Sequence, residues 1–200
     1  APEASDRAWG DRWQAAAAAL RPLPSPQERA ALALWDAPGM LFLGPSATVR
    51  AFDAVVPGAA RGGQVLASRG LAGIDGLIAT ARGLATGLGE PVRLVLGDLS
   101  FVHDLGGLVR GDHEAEVDLQ VVVLDDHGGG IFATLEHRDA ADAVFDRFFA
   151  TPQHLDLVAV ARGFGLDSRR VSVDDLPDAL ARPVRGTSVL VVDLPPVSRG

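Results

Sequence analysis

The stretch Leu119-Gln120-Val121-Val122-Val123-Leu124-Asp125-Asp126-His127-Gly128-Gly129-Gly130 passes from a nearly continuous apolar run directly into acidic residues and glycines. Strands that are apolar at successive positions are typical of parallel sheets covered by helices on both faces. Further strand-like runs, separated by helix-like segments, lie at 40–43, 64–67, 92–96, 170–173 and 188–192. This alternation predicts an α/β fold with three layers, a doubly wound and mainly parallel sheet of about six strands.

The helix-like segments carry apolar residues at helical spacing. Between 75 and 88 we expect Leu77, Ala81, Leu84 and Leu88 to form one buried face. Helices are also predicted near 4–20, 25–38, 46–56, 100–109, 140–149, 155–164 and 174–182. We interpret residues 1–39 as a helical leader or a linker from a preceding domain, and residues 40–200 as the sheet domain. The start at Ala1, without an initiator Met, suggests a piece of a larger protein.

Composition excludes several classes of function. The chain has 200 residues and a net charge of -8, which argues against a general nucleic-acid-binding protein because such a protein needs a basic face. No apolar run approaches the roughly 18 residues of a membrane span, and no signal peptide opens the chain, so we expect a cytoplasmic protein. With no cysteine, there is no disulfide, thiolate nucleophile or sulfur metal ligand.

A second acidic motif, Gly97-Asp98-Leu99-Ser100, follows the strand predicted at 92–96. Parallel strands end at the same edge of a sheet, so Asp98 and Asp126 are expected to meet there although 28 positions separate them. Two carboxylates and a Gly128 carbonyl, completed by a diphosphate, suit a magnesium ion, while the helix N–H groups and Ser100 face the phosphate. Taken singly, Asp98 and Ser100 also fit a helix cap, and 125–130 fits an acidic turn.

Two more strand-end loops carry arginines. Gly44-Pro45-Ser46 is followed by Arg50 one turn into a helix, and Arg69 lies within Ser68-Arg69-Gly70-Leu71-Ala72-Gly73-Ile74-Asp75-Gly76. Two arginines at one sheet edge can clamp substrate carboxylates, although each alone also fits a surface position. The five histidines have no metal-ligand spacing.

In combination, these motifs and Gly128-Gly129-Gly130-Ile131-Phe132 resemble those of one family. It is the thiamine-diphosphate-dependent 2-succinyl-5-enolpyruvyl-6-hydroxy-3-cyclohexene-1-carboxylate synthases, or MenD family, and the likeness runs from about 40 to 192. The resemblance implies that 40–200 is their C-terminal domain, which binds the cofactor diphosphate through Mg²⁺ or Mn²⁺. The full-length transferase would decarboxylate 2-oxoglutarate and add the succinyl unit to isochorismate in menaquinone biosynthesis, as a homodimer or tetramer.

The resemblance also implies a role for individual residues. Metal ligands would be Asp98, Asp126 and the Gly128 carbonyl. Ile74 would be the apolar wedge that bends the cofactor. The cofactor-binding set is Gly73, Ile74, Gly97, Asp98, Leu99, Ser100, Asp126, Gly128, Gly129 and Ile131. The substrate-binding set is Ser46, Arg50, Arg69, Ile131, Phe132 and Leu135.

The chain departs from the family pattern in two ways that matter here. The usual Asn pair stands as Asp125-Asp126, which adds negative charge beside the metal. The pyrimidine-binding domain, which comes from a neighbouring subunit and carries the activating Glu, is absent. We therefore assign no catalytic residue to this chain and expect it to be inactive alone. Another thiamine-diphosphate-dependent carboligase or decarboxylase, or a non-catalytic domain for cofactor binding or assembly, remains an alternative.

Overall fold

A six-stranded parallel sheet forms the centre of the computed structural model, which describes residues 4–20, 23–56, 61, 63–68 and 73–199. The strand order is β2-β1-β3-β4-β6-β5, and every neighbouring pair is parallel. The predicted fold class is therefore confirmed. The strands are β1 (Met40–Leu43), β2 (Val65–Ala67), β3 (Val92–Gly97), β4 (Leu119–Asp125), β5 (Asp167–Ser172) and β6 (Thr187–Asp193).

Helices connect the strands and cover both faces. Two precede the sheet: α1 (Ala4–Leu20) and α2 (Pro26–Asp36). The others are α3 (Ala47–Val55), α4 (Leu77–Leu88), α5 (Asp98–His103), α6 (Asp142–Phe145), α7 (Leu157–Gly163) and α8 (Leu176–Leu180). A π-helix over Asp146–Ala150 extends α6, and short 3₁₀ turns lie at Leu105–Leu108, Gly130–Thr134 and Glu136–Asp139. No helix of the described residues is long and apolar enough to cross a bilayer.

Alternating residues of the strands feed two separate cores. Leu94, Leu96, Val121 and Val123 pack beneath α4, α5 and α7. Val95, Val122 and Leu124 point the other way and pack beneath α2, α3 and α8. Because both faces of the central strands are buried, β4 is apolar at nearly every position.

Helix α2 belongs to this second core. Ser25 and Glu28 form a capping box at its start, and Ala30, Ala31 and Leu34 are fully buried against the sheet. Helix α1 differs, because Trp9 and Trp13 pack edge to face on each other and remain 59% and 61% exposed. The division of the chain at residue 39 stays a prediction.

Two details of the predicted elements are wrong. β5 begins at Asp167 rather than at 170. The sequence does not reveal this start, because an edge strand needs only one apolar face and the polar residues Ser168, Arg169 and Arg170 form no apolar run. Leu88 is 48% exposed, since α4 ends there at the Gly89 cap, and Ile78 and Ala85 contribute to its buried face instead.

A buried arginine links several elements of the second core through hydrogen bonds. Arg93, on β3, is 3% exposed and donates to the side-chain oxygen of Gln120 at 3.0 Å and to the Leu180 carbonyl at 2.7 Å. Its third partner is the Pro38 carbonyl. The guanidinium thus satisfies carbonyl groups where α2 and α8 end, which makes Arg93 a structural residue.

Candidate functional site

The candidate site lies where the strand order reverses. Helix α3 leaves β1 toward one face of the sheet, and α5 leaves the neighbouring β3 toward the other face. Such a divergence opens a crevice beyond the carboxyl ends of the strands, which is where ligands bind in open α/β sheets. Here the crevice is a cleft of about 190 Å³.

Most residues singled out from the sequence lie in the wall of this cleft. They come from the ends of β1, β3 and β4 and from the loop before α4, which are far apart along the chain. The predicted residues in the wall are Ser46, Ile74, Gly97, Asp98, Leu99, Ser100, Asp126, Gly128, Gly129, Ile131 and Phe132.

Three of the predicted residues that the structure describes lie outside the wall. The Arg50 side chain is exposed and donates from Nη1 to the carbonyl oxygen of Ser46 at 2.9 Å, so it turns back along its own helix. Gly73 is exposed, and the half-buried Leu135 lies one turn beyond the lining residues. Arg69 lies outside the described residues.

Asp98 is the most deeply buried acidic residue of the site. It is 1% exposed, and its Oδ1 accepts a hydrogen bond from the Leu99 amide at 2.8 Å. Its Oδ2 is buried and receives no hydrogen bond of good geometry, although the Gly128 amide also lies close enough to the carboxylate to oppose the rise in its pKa. Burial raises the pKa of Asp98 to about 6, against the opposing effect of the Leu99 amide. An unsatisfied buried carboxylate oxygen is costly, so this atom needs either a proton or a cation.

Asp126 stands close enough to Asp98 for the two charges to interact. Burial, and then repulsion from Asp98, raise the pKa of Asp126 to about 7. Two neighbouring carboxylates with raised pKa values are both ionised at neutral pH only when a positive charge lies nearby. Such a pair is therefore expected where a cation binds.

The three glycines after His127 are closely packed, Gly128 and Gly129 against backbone and Gly130 against side chains. The Gly129 amide donates to the Ala150 carbonyl at 2.6 Å. A Cβ at Gly128 would collide with the Ala150 carbonyl oxygen, and one at Gly129 with that of Phe149. At Gly130 it would collide with the Asp126 carboxylate. The glycines therefore let the loop pass between the π-helix and the acidic site. Close packing, and not only flexibility, thus explains why three consecutive glycines stand here.

The neighbouring Asp125 has a different environment from Asp126. Its side chain is 5% exposed, and its Oδ2 accepts from Arg170 Nη1 at 2.8 Å. The same nitrogen lies 2.9 Å from Oδ1 of Asp193. The extra negative charge expected beside the metal is thus paired with an arginine of β5.

Two further features fix the wall of the cleft. Asp104 accepts hydrogen bonds from the amides of Gly76 and Ile78, at 2.9 and 2.6 Å, and so anchors the turn that carries Ile74. Ser46 has φ 72° and ψ −135°, a backbone conformation unfavourable for a residue with a Cβ. Strain of this kind is commonly found at functional sites.

Sequence reasoning missed part of the wall. Five of the missed residues come from α2, from α3 and from the segment after β6, and packing of these elements brings them to the cleft. The other three, Pro45, Leu124 and Gly130, lie inside motifs already singled out but were given no role. The missed residues are Gln27, Pro45, Ala47, Thr48, Ala51, Leu124, Gly130 and Leu194.

The donor set fits a hard divalent cation bound together with phosphate oxygens. Asp98 and Asp126 offer carboxylate oxygens, and no described residue of the cleft offers sulfur or imidazole. Among the described residues there is no cluster of three His, Cys, Asp or Glu side chains suited to a metal. A cation here would need the oxygens of a ligand to complete its shell, which is how Mg²⁺ is commonly held.

Comparison with known proteins gives one consistent result. Residues 51–194 match the family described as "Thiamine pyrophosphate enzyme, C-terminal TPP binding domain". The chain is 42% identical to the 2-succinyl-5-enolpyruvyl-6-hydroxy-3-cyclohexene-1-carboxylate synthase of Renibacterium salmoninarum, over 82% of this chain and 31% of the relative. With the synthase of the same name from a Nocardioides species the identity is 39%, over 94% and 38%. The chain thus spans about a third of the length of these curated relatives.

Proposed function

Since this chain belongs to the MenD family of thiamine pyrophosphate enzymes and comprises their C-terminal TPP-binding domain, we propose that its cleft holds the diphosphate of thiamine diphosphate through a divalent cation. The observation that carries the proposal is the buried, unpartnered Oδ2 of Asp98 in the wall of the cleft. A cation placed there would satisfy this oxygen and remove the repulsion between Asp98 and Asp126.

Asp98, Asp126 and the Gly128 carbonyl are the proposed metal ligands. Mg²⁺ or Mn²⁺ suits such oxygen donors, because both ions prefer carboxylates, carbonyls and water. Ser100 and the amides of the Gly97–Leu99 turn would lie beside the phosphate oxygens. Ile74 would give the cofactor an apolar contact on the other side of the cleft, held in place by Asp104.

Thiamine diphosphate supplies, when bound, the carbon centre on which a 2-oxo acid loses CO₂. The chain's own residues orient the cofactor and exclude water from one side of it. Ser46, Ile131 and Phe132, which line the same cleft, are proposed to face the substrates. Arg50 and Arg69 are proposed to bind substrate carboxylates, which for Arg50 requires exchange of its bond to Ser46.

The activity of the whole protein is part of the proposal. We infer a transferase of menaquinone biosynthesis that takes 2-oxoglutarate and isochorismate, with its activating Glu on the pyrimidine-binding domain of a neighbouring subunit. Residues 40–200 would form the TPP-binding domain, and 1–39 the connection to a preceding domain. A cytoplasmic homodimer or tetramer is the expected assembly.

Calorimetric titration of the chain with thiamine diphosphate tests the cofactor assignment. Binding is expected with Mg²⁺ or Mn²⁺ and is expected to vanish in EDTA. Because the pyrimidine-binding domain is expected to supply further contacts to the cofactor, inorganic pyrophosphate with Mn²⁺ serves as a second probe of the diphosphate site. Cation-independent binding of both probes, or binding of neither, would contradict the assignment.

A fusion of this chain to the preceding two thirds of the Renibacterium salmoninarum synthase tests the substrates. The fusion is expected to consume 2-oxoglutarate only with isochorismate, cofactor and cation, whereas the chain alone is expected to be inactive. The same fusion with Asp98→Asn is the matched control and should lose the activity. A fusion that binds cofactor but prefers another 2-oxo acid would favour a different thiamine-dependent carboligase.

A further inference from the structure

An ion cluster lies directly behind the acidic site, at the ends of three neighbouring strands. Asp125 ends β4 and stands opposite Asp193, which ends β6. Arg170 of β5 reaches both carboxylates with one nitrogen, Nη1, at 2.8 and 2.9 Å. His127 is the remaining group, with Nδ1 3.5 Å from Asp125 and Nε2 4.0 Å from Asp193.

This cluster contains an unfavourable pair that Arg170 resolves. Like charges placed directly opposite each other on adjacent strands repel, and Asp125 is also nearly fully buried. Removing one partner of a buried ion pair leaves an uncompensated charge. Arg170 is the cation that contacts both carboxylates, while its own side chain remains 35% exposed.

The charge on Asp125 also reaches the cleft. Asp125 is the residue before Asp126, which lines the cleft, so its charge lies next to a proposed metal ligand and its position fixes where the loop 126–130 begins. An unpaired Asp125 would place further negative charge behind a site proposed to receive an anionic diphosphate.

We propose that Arg170 is a positioning residue for the diphosphate site: by pairing with Asp125 it neutralises the carboxylate behind the metal ligands and anchors the start of the glycine loop. This inference rests on the proposed function. The proposal gives β5 a role in binding the anion, although β5 contributes no residue to the cleft wall. It also explains how this chain accommodates Asp125 where the family pattern has an amide.

Arg170→Gln tests the proposal, with Mn²⁺ and inorganic pyrophosphate as probes. The affinity for pyrophosphate at saturating Mn²⁺ is expected to fall roughly tenfold, the effect of one unpaired charge about 10 Å away at an effective dielectric constant of about 20. The affinity for Mn²⁺ alone, counted by electron paramagnetic resonance at pH 8, should not fall, because added negative charge attracts a cation. A merely structural role would weaken both.

The double variant Asp125→Asn with Arg170→Gln provides the decisive comparison of this experiment. It removes both charges, so pyrophosphate binding is expected to return to within about twofold of Asp125→Asn alone. This variant also keeps the test valid if Arg170→Gln alone does not fold. Arg169→Gln is the matched control, because Arg169 lies on the opposite face of the same strand, beside α8, and should leave pyrophosphate binding unchanged.

The outcomes separate the two proposals. If the unchanged chain binds Mn²⁺ and pyrophosphate but Arg170→Gln binds them equally well, the role of Arg170 is wrong and the site stands. A double variant as weak as Arg170→Gln also overturns that role, because the loss then came from packing rather than charge. If the unchanged chain binds neither probe, the proposed function fails, and the role of Arg170 with it.

Discussion

Asp125 and Asp126 are adjacent in the chain, yet the buried carboxylate of Asp125 and the half-buried carboxylate of Asp126 have opposite environments. Asp125 pairs with Arg170 at 2.8 Å. Asp126 has only Asp98 as an acidic neighbour in the cleft, and repulsion between them adds to burial in raising its pKa to about 7. Arg170 thus neutralises Asp125 and Asp193 at this edge of the sheet, whereas no ion pair among the described residues includes Asp98 or Asp126.

The difference separates a structural charge from a functional one. A buried carboxylate paired within the protein is already satisfied and has little to gain from a ligand. A buried carboxylate without a partner keeps that free energy available for binding. By this criterion Asp98, whose Oδ2 is buried without a partner, differs from Asp125 and is the stronger candidate for binding a cation.

Removal of an unpaired carboxylate should have the largest effect on binding. Asp98→Asn keeps the shape of the side chain but removes a charged ligand, so Mn²⁺-dependent binding of pyrophosphate is expected to fall about 100-fold, or roughly 3 kcal/mol. Thermal melting of the variant without metal should be no lower than that of the unchanged chain, because a destabilising charge is gone. Unchanged binding, or a large loss of stability, would remove the distinction between Asp98 and Asp125.

Glycine substitutions compare the packed loop with an open helix surface. Gly129→Ala drives a Cβ into the Phe149 carbonyl, and we expect a loss of about 1–3 kcal/mol in the free energy of unfolding. Gly83→Ala, on α4, meets no atom within 4 Å and should gain about 0.5–1 kcal/mol. Urea denaturation measures both. Equal effects would mean that the loop yields and that its glycines are not required by packing.

The dependence of stability on pH tests the unpaired state directly. The pKa values of Asp98 and Asp126, about 6 and 7, lie above the ordinary value of 3.8, so the folded chain binds more protons than the unfolded one between about pH 4 and 7. The contribution of these two groups to stability is therefore fully present below about pH 4 and is lost as the pH rises through their folded pKa values of about 6 and 7. The melting temperature without metal should fall by several degrees from pH 5 to 8, since about 1 kcal/mol corresponds to roughly 2–4 °C in a chain of this size.

Two additions sharpen this measurement. Asp126→Asn should flatten the pH dependence. Mg²⁺ with pyrophosphate should reverse it, because metal binding requires ionised carboxylates and strengthens as they lose protons. A melting temperature that rises with pH in the absence of metal would contradict the raised pKa values.

The smallest effect is expected at an exposed ion pair. Arg29 of α2 and Asp174 approach to 2.6 Å, but their side chains are 47% and 79% exposed. Arg29→Gln should change the free energy of unfolding by about 0.5 kcal/mol or less, because water already solvates both charges. A loss as large as that of Gly129→Ala would show that exposure is a poor guide to the strength of ion pairs in this chain.

Local patterns were sufficient to predict the sheet and the acidic edge. Continuous apolar runs marked β1, β3, β4 and β6, and parallel strands necessarily end at one edge, so Asp98 and Asp126 could be brought together before any coordinates. The fold class and the family are confirmed. The roles given to individual site residues stay predictions.

Contacts between distant polar side chains could not be predicted in the same way. Arg170 lies 45 residues from Asp125, and neither residue carries a local signal for the other. In the sequence, Asp104 looks like an ordinary residue after a helix. Its carboxylate nevertheless accepts a hydrogen bond from the Gly76 amide, 28 residues earlier in the chain, and so anchors the turn that carries Ile74. The hydrogen bond from Arg50 back to Ser46 could not be predicted, because topology fixes where a strand ends but not which rotamer a side chain adopts.

The two walls of the cleft have separate origins. The ends of β3 and β4 supply its charged groups, whereas β1 and α3 supply small uncharged ones such as Ser46, Thr48 and Ala51. Because the switch in strand order sends α3 and α5 to opposite faces, the helices behind the two walls pack on different cores. Substitutions at the cleft positions of α3 would therefore change the uncharged wall without replacing any group of the acidic one. This separation allows the shape of the pocket to diverge in evolution while its carboxylates are retained.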